Sequence, residues 1–323
     1  MIKYPIRFES ILKEKIWGGN KLTEILKKKS DESSLGESWE ISGVKNDISV
    51  AANGPLKGKT LKTIIELYKE QFLGKNNYER FGPEFPLLIK FIDAKSDLSV
   101  QLHPHDNIAK KRHNSLGKTE MWYILQAEKG AEINVGFKRG ISKGEYLEYL
   151  NSKKITELLN FEKVNEGDSF FIHTGEVHAI GAGVLLAEIQ QTSDITYRIY
   201  DWDRVDSEGN PRELHTDLAL DAIDFKKKND FRRQFSRLEN QSNNIASCEY
   251  FNTNFLPIKG KLLKDYSKLD SFVIFMCVKG HAEVKVGAYS EEIAIGQTLL
   301  IPAAVDNVEI ISEGTDLLEI FVI

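Results

Sequence analysis

Residues 167–178 read GDSFFIHTGEVH, and residues 296–307 read GQTLLIPAAVDN, so that one pattern occurs twice in the chain. Each segment begins with a glycine, continues with a short apolar run, and reaches a second turn at the same spacing. Such internal similarity indicates two copies of one structural unit. Because a glycine turn that leads into a short apolar run is typical of a β-strand, we predict two β-barrels of the same kind.

A second pair of segments supports the repeat. Residues 121–135 (MWYILQAEKGAEINV) parallel residues 271–286 (SFVIFMCVKGHAEVKV), with Lys129-Gly130 at the position of Lys279-Gly280. Glycine in such a dipeptide favours a tight turn between two strands. We therefore predict that each barrel contains a hairpin that turns at its Lys-Gly dipeptide.

The pattern of the whole chain predicts a mainly β fold in three parts. Short apolar runs separated by turn residues are typical of strands. We assign residues 1–202 to the first barrel, the polar residues 203–245 to a linker with a helix near 212–224, and residues 246–323 to the second barrel. Helical periodicity predicts a small insertion in the first barrel at about 142–160.

Two further helices are predicted before the first barrel becomes continuous. Apolar residues recur at helical spacing over residues 21–29 and 60–73, and Thr60 is a suitable N-cap for the second helix. The pair Gly18-Gly19 after Trp17 predicts a turn beneath an aromatic side chain.

Composition excludes several classes of protein. The chain has 323 residues, 41% hydrophobic and 28% charged, which is typical of a soluble globular protein. A net charge of −5 argues against a general nucleic-acid binder, and no apolar run is long enough to cross a membrane. Two cysteines, Cys248 and Cys277, do not make a disulfide framework. The N-terminus lacks the apolar core of a signal peptide, so we expect a cytoplasmic protein.

Four residues of the first barrel form a candidate metal site. Residues 90–122 read KFIDAKSDLSVQLHPHDNIAKKRHNSLGKTEMW and contain three of the seven histidines. Gln101 and His103 are two residues apart on a strand and point to the same face. Glu120 begins the next strand, and His178 follows the second glycine turn, where a barrel strand returns beside the first pair. Two imidazoles, a carboxylate and an amide oxygen suit a divalent cation such as zinc and leave a position open for substrate or water.

The second barrel does not repeat this site, and the other histidines have simpler interpretations. Asn307 stands where the first copy has His178, which predicts a second barrel without metal ligands. A single strand histidine is often only hydrogen-bonded in the core or on the surface. We predict that His105, His113, His215 and His281 are surface residues, whereas the position of His173 leaves both interpretations open.

The motifs around these residues resemble those of the cupin superfamily. Residues 167–178 match the second cupin motif, G-x5-P-x-G-x2-H, with His173 in place of proline. The first cupin motif has His-x-His followed by Glu, and here it is Gln101-x-His103 followed by Glu120. With glutamine in place of the first histidine of this motif, the sequence resembles one branch of the superfamily in particular, the type I mannose-6-phosphate isomerases. The resemblance covers nearly the whole chain through the segments Ile16-Trp17-Gly18-Gly19, Gly36–Glu40, Ser99–Pro104, Gly117–Trp122 and Ser193–Trp202.

This resemblance implies a fold and a set of site residues. The implied fold is two cupin-type (jelly-roll) β-barrels with a small helical insertion and helical connections, as in the compact bacterial form of the family. The implied cofactor is one Zn2+ per chain. The resemblance assigns metal binding to Gln101, His103, Glu120 and His178, catalysis to Arg198, Lys118 and Glu188, and substrate binding to Lys90, Ser99, Lys118, Arg198 and Trp17.

The activity implied by the resemblance is interconversion of mannose 6-phosphate and fructose 6-phosphate through an enediol. Both Glu188 and Lys118 remain candidates for the general base, and an ion pair on the surface or in the barrel wall is the alternative interpretation of these two residues. Arg198 could instead pack at the barrel mouth against Tyr197 or Tyr200. Two other functions stay open: a metal-dependent cupin oxygenase and a non-catalytic sugar-phosphate-binding cupin. We expect a small sugar phosphate as partner, no nucleic acid or membrane, and a monomer or weak homo-oligomer.

Overall fold

The computed structural model describes residues 2–32, 34–205 and 208–323. Within these ranges the strands are β1 (Ile11–Gly19), β2 (Leu35–Ile41), β3 (Leu87–Ala94), β4 (Val100–Leu102), β5 (Glu120–Ala127), β6 (Glu132–Phe137), β7 (Leu159–Lys163), β8 (Ser169–Ile172), β9 (His178–Ile180), β10 (Val184–Gln191), β11 (Tyr197–Tyr200), β12 (Asn243–Ser247), β13 (Asn252–Asp265), β14 (Val273–Val286), β15 (Tyr289–Ala294), β16 (Thr298–Ile301) and β17 (Asn307–Phe321). The helices are α1 (Lys21–Glu24), α2 (Leu61–Tyr68), α3 (Glu70–Leu73), α4 (Lys75–Phe81), α5 (Asp106–His113), α6 (Lys143–Asn151) and α7 (Thr216–Leu220).

Among the described residues, no helix has the length and hydrophobicity to cross a membrane.

The predicted mainly β fold is confirmed. In the N-terminal part, one sheet has the order β1-β2-β3-β10-β5-β8 and a second has the order β11-β4-β9-β6-β7. Side chains such as Ile92, Trp122 and Ile180 fill the space between the two sheets. The C-terminal strands form a single curved sheet, β12-β13-β17-β14-β15, with β16 paired to β14, around a separate apolar interior.

The two barrels pack against each other through outward-facing apolar side chains. On β10, Leu185, Ala187 and Ile189 join a core that also contains Leu318 and Ile320 of β17. Since successive strand residues point to opposite faces, the alternate residues of β10 face the N-terminal barrel interior. Central strands that are covered on both faces explain the continuous apolar runs of the sequence.

The N-terminal extension also contacts the C-terminal barrel. The backbone N–H of Ile6 donates to the carbonyl of Leu300, and the N–H of Leu300 donates back to Ile6, both at 2.8 Å. The first residues of the chain therefore add to the second barrel's surface. The division of the chain at residues 202 and 245 stays a prediction.

The predicted hairpins at the Lys-Gly dipeptides are wrong. β5 pairs with β10 and β8 in one sheet, whereas β6 pairs with β9 and β7 in the other, so Lys129-Gly130 carries the chain between sheets. Lys279-Gly280 lies inside the continuous strand β14, which changes partner there from β16 to β15. The register with β17 shifts between Cys277 and Lys279, and Gly280 has a φ of 73°. A bulge with glycine in the left-handed region bends the strand from one side of the barrel to the other.

The helices are shorter than their sequence patterns suggest. The predicted helix over 60–73 is divided into α2 and α3 at Lys69, whose φ is 46°. Thr60 caps α2 as predicted, because its side chain accepts the N–H of Thr63. The predicted helix over 21–29 is reduced to α1, and α4 was not predicted.

The insertion and the linker are also less helical than predicted. In the range 142–160, α6 begins after Ser142, whose side chain accepts the N–H of Glu145. A short 3-10 turn follows α6, and the chain then enters β7. The helix predicted near 212–224 is the five-residue α7. Both segments cover the outer face of the second N-terminal sheet through side chains such as Tyr146 and Ala219.

The glycine pair after Trp17 is not a turn. Gly18 and Gly19 are the last residues of β1, and neither has a positive φ. A Cβ atom on Gly18 would lie 2.5 Å from the backbone N of Gly36, which shows that the two backbones touch. Close approach of β1 to β2 therefore requires glycine, and it places Trp17 within the barrel.

Candidate metal centre and active site

Strand alternation brings the charged residues of three neighbouring strands into the N-terminal barrel. Lys90 on β3, Glu120 on β5 and Glu188 on β10 share faces with the interior residues Ile92 and Leu186. The opposite faces of the same strands lie in the core between the barrels. The interior is apolar at one end and becomes charged where these three residues occur.

Three of the four predicted metal ligands form a compact cluster. One ligand atom from each of His103, Glu120 and His178 lies within 4.8 Å of the others, and all three residues are buried. His178 begins β9 and is the register partner of Gln101 on β4. Gln101 lines the same cavity as His178, so the structure brings all four predicted residues to one place.

Backbone carbonyls orient both imidazoles. Nδ1 of His103 lies 2.8 Å from the carbonyl oxygen of Ile195, and Nδ1 of His178 lies 2.9 Å from that of Glu176. Because a carbonyl only accepts, each Nδ1 must carry the hydrogen. In a neutral ring Nε2 then presents its lone pair, and both Nε2 atoms lie 3.5 Å from an oxygen of Glu120.

The charge states of this cluster favour a bound cation. Burial lowers the pKa of His178 to about 4 and also lowers the pKa of His103, with Lys118 acting in the same direction. Burial raises the pKa of Glu120 to about 7, and Glu188 adds to this rise while Lys118 opposes it. Two neutral nitrogen lone pairs therefore face a carboxylate. Among the described residues, no hydrogen-bond partner reaches Nε2 of His178 or Oε1 of Glu120, whereas Oε2 of Glu120 is paired with Lys118.

This donor set fits a divalent metal ion. Buried polar atoms are normally hydrogen-bonded, and leaving them unpaired costs free energy. Imidazole nitrogens held by backbone carbonyls are typical of metal sites, because the outer hydrogen bond fixes the ring. A cation between His103, Glu120 and His178 would satisfy the lone pairs that face one another.

Lys118 lies within hydrogen-bond distance of two of the predicted metal ligands. Its Nζ lies 3.0 Å from Oε2 of Glu120 and 3.1 Å from Nε2 of His103. Gln101 is linked to the opposite wall, since Oγ of Ser99 donates to its Oε1 at 3.1 Å and accepts Nε of Arg198 at 3.2 Å. Lys118 thus contacts the predicted metal ligands directly, and Arg198 reaches Gln101 through Ser99.

A cavity of about 320 Å³ opens above these residues. The predicted site residues that line it are Trp17, Lys90, Ser99, Gln101, Lys118, His178, Glu188 and Arg198. Arg198 reaches it from β11 and is held by the carbonyl of Glu213, which accepts its NH1 at 2.8 Å. The alternative interpretation, in which Arg198 only packs against a tyrosine at the barrel mouth, does not account for its position in the cavity lining.

The ion pair that was the alternative for Glu188 is present, with Lys90 as the partner. Nζ of Lys90 lies 2.7 Å from Oε2 of Glu188, and the indole of Trp122 donates to Oε1 at 2.8 Å. Burial would raise the pKa of Glu188, but Lys90 and Lys118 outweigh it and lower the pKa to about 2. Both members of the pair nevertheless face the cavity.

Several cavity residues were missed by the sequence analysis. Glu37 on β2 is held by the indole of Trp39 at 2.6 Å and lies 3.4 Å from Lys15 and 3.9 Å from Lys90. β2 pairs with β3, the strand that contains Lys90. The polar-apolar alternation of β2 in the sequence is therefore the signal that could have identified Glu37 as a residue facing the cavity. Arg212 also lines the cavity, but it comes from the polar linker, where no pattern marks it.

The remaining histidines lie outside the metal cluster. His105 and His281 are exposed, as predicted, and His113 is exposed while bonding the hydroxyl of Tyr197. His215 is partly exposed, and its Nδ1 accepts the backbone N–H of Arg198. His173 is partly exposed and faces Asp230 at 3.5 Å.

Comparison with known proteins gives the family. A family model for the catalytic domain of type I phosphomannose isomerases matches residues 6–137, and one for the cupin domain of mannose-6-phosphate isomerases matches residues 241–318. The chain is 35% identical over 307 residues to mannose-6-phosphate isomerase ManA of Bacillus subtilis, covering 94% of each protein. The chain belongs to the type I mannose-6-phosphate isomerase family. The resemblance found in the sequence is confirmed.

Other relatives agree with this membership. A mannose-6-phosphate isomerase of Streptococcus mutans is 32% identical over 304 residues, again with 94% of each protein covered. The crystal structure of the mannose 6-phosphate isomerase from Bacillus subtilis superposes with a TM-score of 0.89 at 34% identity, covering 99% of this chain and 100% of that chain. The chain is therefore an enzyme of this isomerase family, and its two-barrel fold is shared with a solved member.

Proposed function

We propose that this isomerase interconverts mannose 6-phosphate and fructose 6-phosphate with one zinc ion held by Gln101, His103, Glu120 and His178. The observation that carries the proposal is the pair of oriented imidazoles that face the buried Glu120 carboxylate at the floor of a cationic cavity, where Nε2 of His178 and Oε1 of Glu120 have no hydrogen-bond partner among the described residues. Two nitrogens and two oxygens are a suitable donor set for zinc. When bound, zinc supplies a Lewis acid that polarises the sugar oxygens at C1 and C2.

The phosphate group is assigned to the Arg198 side of the cavity. Its guanidinium is held by Ser99 and by the carbonyl of Glu213, so the remaining part of the planar group is oriented in advance. A guanidinium binds phosphate through two parallel hydrogen bonds. Arg212 lines the same cavity and adds a second positive charge. In this proposal the sugar lies between Arg198 and the metal ligands.

Lys118 is the proposed carrier of the proton that moves between C1 and C2. Glu188 is poorly suited, because its two oxygens are engaged by Lys90 and Trp122 and its pKa is about 2. Lys118 instead bonds Glu120 and His103, whose ligand atoms would turn to a metal ion in the loaded enzyme. Its amino group would then be free to face the sugar and, in the unprotonated form, to accept the proton from carbon. Glu188 is assigned the role of holding Lys90 in the cavity wall.

The test is a coupled assay with purified, zinc-loaded protein. We expect fructose 6-phosphate to form from mannose 6-phosphate, activity to disappear on chelation, and zinc to restore it with one ion per chain. Absence of interconversion in the loaded protein would refute the proposal, as would full activity in protein from which all metal has been removed. Tight binding of the sugar phosphate without turnover would indicate a non-catalytic binding protein instead. We also propose a cytoplasmic location and a monomeric or weakly oligomeric state.

A further inference from the structure

A carboxylate outside the cavity joins three distant parts of the chain. Asp106 is the first residue of α5. Its Oδ1 accepts the backbone N–H of Gly117 at 2.7 Å and the side-chain amide of Gln191 at 3.1 Å. Its Oδ2 accepts the hydroxyl of Tyr250 at 2.7 Å. Tyr250 belongs to the C-terminal barrel, where it lies in the turn between β12 and β13.

These hydrogen bonds reach the residue before Lys118 and, through Gln191, the residue after it. Gly117 precedes Lys118, and its N–H is bound by Asp106. Thr119 follows Lys118, and its N–H donates to Oε1 of Gln191 at 2.8 Å. Asp106 and Gln191 are themselves hydrogen-bonded, so one connected unit fixes the backbone before and after the lysine.

Packing reinforces these hydrogen bonds. A Cβ atom on Gly117 would lie 2.8 Å from the backbone N of Asp106, so the loop lies directly against the start of α5. Burial would raise the pKa of Asp106, but the bonds from Tyr250, Gly117 and Gln191 lower it below its usual value. The carboxylate is therefore ionised at neutral pH, and hydrogen bonds to it are stronger than those between neutral groups.

We propose that Tyr250 and Asp106 are positioning residues that hold Lys118 against the metal ligands. Neither residue lines the cavity, so we assign their effect to the hydrogen bonds that fix the backbone of the Lys118 loop. The C-terminal barrel, which has no predicted ligands of its own, contributes one hydroxyl to the catalytic machinery of the other barrel. This inference rests on the proposed role of Lys118.

The expected effect is on turnover more than on substrate binding. Lys118 must place one nitrogen close to the reacting carbons, and a misplacement of about 1 Å can cost roughly 100-fold in rate. Removing the Tyr250 hydroxyl leaves two of the three donors to Asp106 in place. We therefore expect Tyr250→Phe to lower kcat about 5- to 10-fold, to change KM less than about twofold, and to leave the zinc content unchanged.

Tyr266→Phe is the matched control. Tyr266 lies in the same barrel, is buried, and its hydroxyl also donates to a carboxylate, that of Glu319. That carboxylate has further donors in Lys264, Ser242 and Asn254 and no connection to Lys118. We expect Tyr266→Phe to lose at least as much thermal stability as Tyr250→Phe while keeping the wild-type kcat. Equal loss of kcat in both variants would overturn the proposal, because it would show that kcat follows the general loss of stability of the C-terminal barrel.

Substitutions of Asp106 give an independent test. Asparagine can still accept from Gly117 and Gln191 through its oxygen and donate to the Tyr250 oxygen through its nitrogen. We expect Asp106→Asn to retain kcat within about threefold and Asp106→Ala to lose about tenfold or more. The proposal fails if the alanine variant, with full zinc, turns over as fast as the asparagine variant.

Amide hydrogen exchange separates this inference from the proposed function. Measured without substrate on the full chain, exchange at Gly117 and Thr119 should quicken in Tyr250→Phe and Asp106→Ala, but not in Tyr266→Phe. If the wild-type protein does not convert mannose 6-phosphate, the proposed function fails while the exchange result still reports on the hydrogen-bonded unit. Unchanged exchange in both network variants would overturn the positioning role.

Discussion

Nε2 of His178 lies 3.5 Å from Oε1 of Glu120, and in the described part of the chain neither atom has a hydrogen-bond partner. The histidine is held neutral by burial, so this contact is a lone pair facing a carboxylate oxygen. Such a contact is unfavourable unless a proton or a metal ion lies between the two atoms. A proton and a metal ion would therefore compete for the position between His178 and Glu120.

Zinc binding should release a proton from Glu120. In the metal-free protein the pKa of Glu120 is about 7, whereas that of His178 is about 4. At pH 6 the carboxyl is mostly protonated and the histidine is already neutral, so we expect about one proton to be released per zinc ion. Affinity should rise about tenfold per pH unit up to pH 7 and then level off. Titration calorimetry in buffers of different ionisation enthalpy measures the released protons.

Glu120→Gln is the control for this proton count. The amide keeps the shape of the side chain but has no proton to lose in this pH range. We expect zinc binding about 100-fold weaker or worse, with no pH-dependent proton release. Proton release of the same size in this variant would assign the proton to another residue.

Alternation along the strands explains why the four metal ligands could be proposed from the residues alone, whereas the substrate-binding and catalytic residues were assigned by the family resemblance. Gln101 and His103 are two residues apart and point the same way, and the second glycine turn fixes where His178 returns. The sequence could not show that Glu188 is paired with Lys90, because the two lie on strands that are distant in the chain. It could not show Arg212 or Tyr250 either, since both come from segments without periodicity.

The errors in the fold arise where the local sequence allows more than one backbone conformation. A Lys-Gly dipeptide between apolar runs allows a tight turn, a bulge or a crossing between sheets, because glycine permits all of these backbone conformations. Long-range pairing decides among them, as β14 shows by continuing through Gly280 and changing partners. Lys69 likewise interrupts a helical pattern that the local sequence favours.

Lys118→Met should separate metal binding from turnover. Lys118 lies within hydrogen-bond distance of two ligand residues, so its positive charge opposes a bound cation. We expect zinc to bind about tenfold more tightly and kcat to fall about 10²- to 10⁴-fold. Competition with a chelating dye and steady-state kinetics measure the two effects. Lys261→Met, on the exposed surface of the C-terminal barrel, should change neither, and a fall in zinc affinity for Lys118→Met would contradict its position beside the metal.

Arg198→Ala should spare the metal and impair the use of substrate. Arg198 faces the cavity, where its side chain bonds Ser99 and the carbonyl of Glu213, and no hydrogen bond or ion pair joins it to His103, Glu120 or His178 in the described part of the chain. Losing a two-point bond to phosphate should lower kcat/KM about 100-fold or more, with Arg198→Lys in between. Arg139→Ala, which removes an exposed arginine paired with Glu145, is the matched control. Normal kinetics in zinc-loaded Arg198→Ala would rule out the phosphate role.

The Lys90–Glu188 pair should contribute differently to stability and to activity. Both side chains are buried and 2.7 Å apart, so Glu188→Gln leaves a buried ammonium whose nearest remaining carboxylate is Glu37 at 3.9 Å. We expect a loss of about 3 kcal/mol in the free energy of unfolding. Lys90→Met combined with Glu188→Gln should recover most of that loss, because no unpaired charge remains. Denaturant unfolding of the four proteins in the cycle measures the coupling.

The same cycle tests whether the pair only supports the barrel wall. If Lys90 binds substrate in the cavity, the double variant should stay inactive although its stability has returned, with kcat/KM at least about 100-fold below wild type. Recovery of activity together with stability would show that the pair is structural, and Lys90 would lose its proposed contact with the sugar phosphate. Glu188→Gln alone cannot decide this, because destabilisation and loss of a substrate contact both lower its activity.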